Sequence, residues 1–548
     1  MTRVAPLFSL VTPVYAPPLD VLEDTVRSVL EQDFDDWELI LVDDCSPDPA
    51  VLDLLGRLAA GDERIKIVER EENGHIVAAS NDGVAMARGE FIVLLDHDDL
   101  LVPDALSRVA RAVEDYPDAD YLYSDEDKVD NDGNHYDEFR KPIWSPERLR
   151  GQMYTGHLSV LRTEAVRRVG AFREGYDGSQ DHDLVLRVTE VARRVVHIPE
   201  VLYHWRTIPG SAAADSNAKP YAAIAGRRAV QDHLDRLGIQ GTVDHGPANG
   251  LYRTSRPLNP ARRVSIVIPT IGSSGLVWGA TRVFVVEAVK SLLDHTEHVN
   301  LEVVIVYDVP TPSHVLDTLR EIVGERLVLV PFDEPFNYSR KMNLGVLHST
   351  GDRLVLLNDD VAARSDKWLE ELVAPLDEVD VGMTGAKLTF SNDTIQHIGH
   401  FYSGGHYLHI AISEPSSSLG EFGVLGISRE VSGVTAACAG IRRDTFDEVG
   451  GFSEALPVNF NDVDLSYKVR RTDKRIVVVP QCELFHFESR TRERTVDDWE
   501  RIAVQRRWGV PRIDSYVPRR KRSERVQQPE RQLPTPRTTK TEIPTAPR

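Results

Sequence analysis

An internal repeat constrains the fold of this sequence more than any other feature. Residues 89–101, GEFIVLLDHDDLL, place a glycine and a run of apolar residues before a cluster of acidic residues. Residues 351–363, GDRLVLLNDDVAA, repeat that arrangement, and the motif N-x-G precedes both copies by the same number of residues. Because a recurring pattern indicates a repeated structural unit, the chain is predicted to contain two copies of one domain.

Each copy alternates strand-like and helix-like segments. FSLVTPVY (8–15) is rich in β-formers, the segment 19–34 has apolar residues at helical spacing, and WELILVDDCSPD (37–48) is an apolar run that ends in acids. The second copy starts at RRVSIVIPT (262–270) and keeps this order. We therefore predict an α/β fold with two tandem Rossmann-like domains, each with a mostly parallel sheet. Such sheets bind ligands at the carboxyl ends of their strands, where these acids would lie.

The length of 548 residues is too great for one ordinary core and favours several domains. We predict a first domain over 1–215, a linker with a helix over 216–262, a second domain over 263–516 and a tail over 517–548. The tail is basic, rich in Pro and Thr and poor in large apolar residues, so it is predicted to be disordered. Its two interpretations are peripheral contact with anionic lipid and a purely solubilising role.

Composition excludes several classes of protein. Apolar runs stay shorter than the ~18 residues of a membrane-spanning helix, and the start of the chain lacks the pattern of a secretory signal. The three cysteines form no C-x-x-C pair, so neither a disulfide framework nor a cysteine zinc site is expected. A net charge of −22 argues against nucleic-acid binding. A cytoplasmic protein is expected, in contact at most with the inner face of the cell membrane.

Each copy supplies the same kinds of polar residue in the same order. An acid follows the second strand, a D-x-D-like cluster follows the repeated apolar run, another acid opens a later helix, and a histidine ends a late strand. For the helix-opening acid, capping is an equally plausible role, and a lone histidine is more often structural. The candidates are Asp44, Asp96, Asp98, Asp181 and His204 in the first copy, and Asp308, Asn358, Asp360, Asp462 and His486 in the second.

One reaction requires such a set. Mg²⁺ or Mn²⁺ is bound by few carboxylates when substrate phosphates complete its shell, which suits Asp98 with His204 and Asp360 with His486. Such a cation would neutralise a departing diphosphate. A separate carboxylate in each copy would remove the proton of an attacking hydroxyl, and the acid after the second strand would accept hydrogen bonds from a base.

At these positions the chain resembles two tandem family 2 glycosyltransferase domains of the GT-A fold, in the branch that includes rhamnosyl and O-antigen transferases. The resemblance covers nearly everything except the linker and the tail. It implies inverting transfer from a UDP-, dTDP- or GDP-sugar to a glycan or lipid-linked acceptor, assisted by Mg²⁺ or Mn²⁺. The motifs that carry it are TPVY, VDDCSPD, LLDHDD and GSQDHDL in the first copy, and FNYSRKMNLG, LLNDDV, GGFSE, FNDVDL and HFESR in the second.

The resemblance also implies roles for the candidates. It makes Asp181 and Asp462 the catalytic bases, and it makes the two late histidines contacts of the metal or the diphosphate. The residues expected to contact the donor are Asp44 and Asp308 at the nucleobase, with Asp96 and Asn358 at the first position of the D-x-D-like cluster.

The sequence departs from the family pattern mainly in the second copy. Asn358 and Tyr307 replace acids there, while Gln180 and Asn461 stand before the two predicted bases. Two active sites in cell-surface polysaccharide synthesis are the favoured interpretation, and a second domain that only holds the acceptor is the alternative. A nucleotidyltransferase would require a Gly-rich phosphate loop that the first strands lack. A non-catalytic glycan-binding scaffold is the third alternative.

Overall fold

A computed structural model of the protein describes residues 5–207, 220–487 and 498–517. Within these ranges the two sequence copies form two α/β units, the first repeat (Phe8–Arg206) and the second repeat (Val264–His486). The predicted α/β fold with mostly parallel sheets is confirmed. The predicted boundary at 215/216 and nearly all of the predicted tail lie outside the described residues, and the boundary at 262/263 stays a prediction.

The first repeat is a mixed sheet flanked by helices. Its strands are β1 (Phe8–Val14), β2 (Trp37–Asp43), β3 (Ile65–Glu69), β4 (Phe91–Leu94), β5 (Leu100–Leu101), β6 (Tyr121–Val129), β7 (His135–Phe139), β8 (Ser159–Arg162) and β9 (Val195–Arg206). Its helices are α1 (Leu19–Leu30), α2 (Pro49–Gly61), α3 (His75–Met86), α4 (Ala105–Asp115), α5 (Pro146–Gly151), α6 (Thr163–Arg168) and α7 (Gln180–Val191). The strands lie in the order β3, β2, β1, β4, β8, β6, β9, β5, with β7 beside β6.

A helix and a hairpin connect the repeats. The helix α8 (Pro220–Leu237) lies where the sequence predicts a linker helix, and β10 (Thr242–His245) pairs with β11 (Tyr252–Ser255). None of the helices in the described part of the chain has both the length and the apolar character needed to cross a bilayer.

The second repeat has the same plan with additional strands. Its strands are β12 (Val264–Thr270), β13 (Ser274–Val277), β14 (Ala280–Val283), β15 (Leu301–Asp308), β16 (Leu327–Phe332), β17 (Arg353–Leu357), β18 (Val361–Ala363), β19 (Val381–Thr389), β20 (Ile395–His397), β21 (His400–Ser403), β22 (His406–His409), β23 (Arg429–Glu430), β24 (Cys438–Arg442) and β25 (Arg475–His486). Its helices are α9 (Phe284–Asp294), α10 (Ser313–Val323), α11 (Tyr338–Leu347), α12 (Trp368–Val373), α13 (Arg443–Glu448) and α14 (Asn461–Arg470), and α15 (Asp498–Trp508) follows.

The two sheets have the same strand order. In the second repeat the order is β16, β15, β12, β17, β24, β19, β25, β18, which matches the first repeat strand for strand. The first four strands of each sheet run parallel, while β8 and β24 run antiparallel to both neighbours. The repeat in the sequence is therefore a repeat of topology.

The glycine of the N-x-G motif explains why that motif recurs. A methyl group at Gly83 of α3 would lie 2.5 Å from Cγ1 of Val11 in β1. At Gly345 of α11 it would lie 2.4 Å from Cγ1 of Val267 in β12. Because a real side chain cannot approach so closely, glycine allows the helix to pack directly on the central strand in both repeats.

Buried ion pairs join the repeats. Glu430 of β23 accepts a hydrogen bond, 2.9 Å long, from the backbone N–H of Glu147 in α5. The Glu147 carboxylate in turn accepts one of 2.8 Å from Arg256, which follows β11. Arg150 of α5 lies 2.8 Å from Glu378 of the second repeat. The interface therefore depends on charges that are taken out of water and paired across it.

Candidate active sites

The first cavity has a volume of about 1010 Å³ and lies at the carboxyl ends of β1, β2 and β4. Asp44 follows β2, Asp96 and Asp98 follow β4, and Asp181 lies in the first turn of α7. All four side chains line this cavity, so the structure brings together the acids that the sequence predicts for the first copy.

Asp44 is buried and firmly held. One of its carboxylate oxygens lies 3.0 Å from Nε of Arg70 and accepts a 2.9 Å hydrogen bond from the backbone N–H of Gly74. The side chain of Asn73 donates to its backbone carbonyl. These contacts fix the direction of the carboxylate before any ligand binds.

Two of the acids after β4, Asp98 and Asp99, have raised pKa values. Burial raises the pKa of Asp98, and the charge of Asp96 adds to this effect, while His97 opposes it. Asp99 is fully buried and accepts a 2.6 Å hydrogen bond from the hydroxyl of Tyr203. Its pKa is well above the ordinary value because of burial and then of its two acidic neighbours. Carboxylates that disfavour their own negative charge in this way would be stabilised by a bound cation.

Asp181 has the properties of a general base. Burial, followed by the charge of Asp96, raises the pKa of Asp181 to about 6. The side-chain amide of Gln180 donates a 3.2 Å hydrogen bond to it. A base is most effective when its pKa is close to the working pH, which this carboxylate approaches.

His204 contacts Asp127 and is not among the residues that line the first cavity, so its predicted pairing with Asp98 stays a prediction. Its Nδ1 lies 2.5 Å from one oxygen of Asp127, whose other oxygen lies 3.1 Å from Nδ1 of His135. Successive residues of a strand point to opposite faces, and on β9 the residue that lines the first cavity is Trp205. In the first repeat a cation could be held by the D-x-D carboxylates, without this histidine.

His157 is a cavity residue that sequence reasoning missed. Its Nδ1 lies 3.3 Å from Glu126, its Nε2 lies 3.9 Å from Asp96, and its ring stacks on Tyr203 at 4.6 Å. Burial disfavours the imidazolium, but Glu126, Asp96 and Asp99 outweigh that effect and raise the pKa of His157 to about 9. The first cavity therefore contains a fixed positive charge among its acids.

The second cavity has a volume of about 570 Å³ and occupies the corresponding place in the second repeat. Of the predicted residues, Asn358, Asp360, Asp462 and His486 line it. Burial raises the pKa of Asp462, which lies in the first turn of α14. The base candidate thus has the same position on the same helix in both repeats.

Asp308 is not among the residues that line the second cavity. The ammonium group of Lys341, a buried residue of α11, lies 2.9 Å from its carboxylate and donates to the backbone carbonyl of Thr270. Lys341 itself lines the cavity, in the helix position that Ala79 occupies in the first repeat. The second cavity therefore presents a cation where the sequence predicts an acid that contacts the nucleobase.

The geometry around His486 fits a divalent cation. Its Nδ1–H donates to Oε1 of Gln396 at 2.7 Å, so in the neutral ring the lone pair is on Nε2. That nitrogen lies 3.1 Å from a carboxylate oxygen of Asp360 and 3.3 Å from Nδ2 of Asn358. Two electron-pair donors that face each other are stabilised by a cation between them, and a second hydrogen bond commonly orients a histidine ligand in this way. The structure thus brings together the acid and the histidine predicted for the second copy.

The missed residues differ in the signal that they left in the sequence. Lys341 and Gln396 left none, because their roles depend on contacts with distant segments. His157 precedes β8 in the stretch YTGHLSVLR, which gives no readable pattern. The second cavity also contains three further histidines in IQHIGHFYSGGHYLH (395–409), a density of histidine that is visible in the sequence.

Comparison with known proteins gives the family. Glycosyl transferase family 2 matches residues 9–174 and again residues 265–450, one stretch in each repeat. The uncharacterized protein y4gI of Sinorhizobium fredii is 42% identical over 494 residues, which cover 89% of this chain and 54% of that protein. The O-antigen biosynthesis protein RfbC of Myxococcus xanthus is 35% identical over 519 residues, which cover 93% of this chain and 40% of that protein.

These two relatives are longer proteins, and this chain spans about half the length of each or less. Among solved structures, residues 1–349 of S. aureus TarS match 42% of this chain and 71% of that one, at 19% identity and a TM-score of 0.32. So low a TM-score adds nothing to the functional argument. The family matches, together with the strand order, identify both repeats as GT-A domains.

Proposed function

The chain belongs to glycosyl transferase family 2, and on that basis we propose that each repeat transfers a sugar from a UDP-, dTDP- or GDP-sugar to a glycan or lipid-linked acceptor. The observation that carries the proposal is the recurrence of one set of acids around a cavity at the strand ends of both repeats. The similarity to a protein of O-antigen biosynthesis supports a role in cell-surface polysaccharide synthesis.

The reaction in each cavity is a single inverting displacement. Asp181 or Asp462 accepts the proton of an acceptor hydroxyl while its oxygen bonds to the anomeric carbon of the donor sugar. The bond from that carbon to the diphosphate breaks on the opposite side, and the nucleoside diphosphate leaves with the electron pair. The raised pKa of both bases suits proton removal near neutral pH.

Mg²⁺ or Mn²⁺ would assist both reactions, held by different donor sets. Asp96 and Asp98 would hold it in the first cavity, and Asp360, His486 and Asn358 in the second. A divalent cation supplies positive charge that stabilises the leaving diphosphate. The first group offers carboxylate oxygens and the second adds an imidazole, and Mn²⁺ accepts both kinds of donor.

The nucleobase is proposed to bind beyond the D-x-D acids. In the first cavity Asp44 accepts its hydrogen bonds, since this carboxylate is already oriented by Arg70 and Gly74. In the second, Asp308 acts through Lys341, whose ammonium group lines the cavity. We place both reactions on the cytoplasmic side of the membrane, where the basic tail would contact anionic lipid.

The test is to change the two metal sites separately. Purified protein with Mn²⁺ would be screened against UDP-, dTDP- and GDP-sugars, with release of nucleoside diphosphate and product size as readouts. Asp98→Ala is expected to abolish one transfer step and Asp360→Ala the other.

Three outcomes would replace the proposal. If Asp360→Ala affects no transfer step, the second repeat serves the acceptor only. Release of pyrophosphate would indicate a nucleotidyltransferase, and metal-independent binding of sugar nucleotides without turnover would indicate a scaffold.

A further inference from the structure

The second cavity contains a cluster of three histidines apart from His486. His397 ends β20, His400 begins β21 and His409 ends β22, and all three line the cavity. Their ring centroids lie 4.7 to 4.9 Å apart, and each ring offers a nitrogen within 4.8 Å of the others. We call these residues the histidine cluster. Neither the transfer reaction nor the D-x-D-like site makes use of them.

One nitrogen of the histidine cluster has an unsatisfied lone pair or proton. His400 is 3% exposed, and its Nδ1 is buried without a hydrogen-bond partner among the residues that the structure describes. A buried nitrogen without a partner is destabilising, so a ligand at this position would be stabilising.

His397 and His409 share a hydrogen bond at the place where a metal ion could bind. The backbone N–H of Thr435 donates to Nε2 of His397 at 3.2 Å, so the proton of that ring lies on Nδ1. This proton points at Nδ1 of His409, and the two nitrogens are 2.8 Å apart. For a metal ion to bind between the rings, the proton of His397 would move from Nδ1 to Nε2, the hydrogen bond from Thr435 would be lost, and both rings would stay neutral.

We propose that the histidine cluster binds one divalent transition-metal ion of the zinc type. Imidazole nitrogens suit Zn²⁺, Co²⁺, Ni²⁺ and Cu²⁺, whereas Mg²⁺ prefers oxygen ligands. Three protein ligands leave a fourth position that faces the second cavity, where Asp462 lies. The site is distinct from the carboxylate site at Asp360 and does not depend on the transferase activity.

Metal binding by the untagged full chain tests the proposal. After chelator treatment and dialysis, the wild type is expected to bind Zn²⁺ at this site in competition with a chromophoric chelator, and Co²⁺ is expected to give the visible ligand-field spectrum of a low-coordinate histidine site. His409→Ala is the first variant, because His409 is the most exposed of the three and its loss disturbs the fold least. We expect it to weaken Zn²⁺ binding at this site by at least about 100-fold.

Matched controls separate the histidine cluster from other sites. His406→Ala changes an exposed residue of the same strand, β22, and is expected to bind Zn²⁺ like the wild type. Asp360→Asn tests the carboxylate site, and His135→Ala tests the group of Asp127, His135 and His204 in the first repeat. Both are expected to retain the tight zinc site.

The proposal is overturned if the wild type shows no tight zinc site, if His409→Ala binds like the wild type, or if the tight site is lost in either control at Asp360 or His135. Circular dichroism of each variant shows whether it is folded. Should His409→Ala unfold, His400→Gln with the same zinc and cobalt readouts decides the question in its place.

Discussion

The two repeats share their strand order but differ in how they surround the D-x-D acid. In the second repeat β25 brings His486 to within 3.1 Å of Asp360. In the first repeat the corresponding strand, β9, directs His204 to Asp127 and turns Trp205 toward the cavity. Topology therefore reproduces the acids at the strand ends, while the side-chain direction of one strand decides whether a histidine joins them.

The two repeats also differ in the cationic side chain that pairs with the acid at the end of the second strand. In the first repeat Arg70, which follows β3, holds Asp44 from outside the residues that line the cavity. In the second, Lys341 of α11 holds Asp308 from within the cavity. The two repeats thus pair the acid at the end of the second strand with a cation from different elements, and this gives the two cavities different charge.

The largest expected effect tests whether both repeats are catalytic. Asp181→Asn and Asp462→Asn each remove a proposed base without changing its size, so each is expected to slow its own transfer step by about 10²–10⁴-fold. The rates of the two linkages would be measured separately by product analysis.

Asp53→Asn, on the exposed face of α2, is the control and should change neither rate. If Asp181→Asn loses both linkages while Asp462→Asn loses neither, the second repeat has no catalytic base. The claim that both repeats are catalytic would then be contradicted.

The next effect concerns the interface that holds the repeats together. Glu147→Gln removes one of the two carboxylates that pair with Arg256 and Arg150, and Glu378 remains as the other. We expect a loss of about 1.5–3 kcal/mol in the free energy of unfolding, the range for a hydrogen bond to a charged group. Burial opposes the charge of Glu147, but Arg256, Arg150 and Arg475 lower its pKa from 4.5 to about 2. This stabilisation is complete above about pH 4.5 and is lost as the pH falls toward 2.

Denaturant unfolding of wild type and variant at pH 7 and pH 3 measures both claims. The difference between the two proteins should shrink at the lower pH. A constant difference would mean that Glu147 acts through packing rather than charge. Separate transitions of the two repeats in the variant would show that this network holds them together.

The sequence predicts those parts of the sites that depend on local pattern. Asp96 and Asp98 follow an apolar run, and Asp181 opens an amphipathic helix, so their positions at strand and helix ends could be read directly. The same reasoning cannot give the direction of a side chain late in a strand, which is why it did not show that His204 contacts Asp127. It also cannot show that Lys341, 33 residues after Asp308, binds it, because that contact depends on how α11 packs on the sheet.

A smaller expected effect concerns the affinity of the two cavities for Mn²⁺. Gln396→Leu removes the acceptor that orients His486, and such a change typically lowers metal affinity by about 10–100-fold. His204→Ala is expected to leave Mn²⁺ binding in the first cavity unchanged, because that ring contacts Asp127.

Mn²⁺ titrations followed by electron paramagnetic resonance would compare the two variants with the wild type. Asp98→Asn and Asp360→Asn assign each binding event to its cavity. Weaker Mn²⁺ binding in the first cavity of His204→Ala would show that β9 rearranges to bring this histidine to the metal, and the two repeats would then be alike.

The smallest expected effect concerns a pair of hydrogen bonds that both repeats contain. Asn81 of α3 accepts a 2.9 Å hydrogen bond from the backbone N–H of Phe172 and donates to its carbonyl, and Asn343 of α11 makes the same pair of bonds with Phe452. Alanine at either position should cost about 0.5–1.5 kcal/mol per lost bond. Hydrogen exchange at the amides of Phe172 and Phe452 reads each site locally. If both variants lose a similar amount of protection, this pair of hydrogen bonds belongs to the framework that the two repeats share. A clearly larger loss in one repeat would show that the repeats differ in the packing beneath the cavities as well as in the residues that line them.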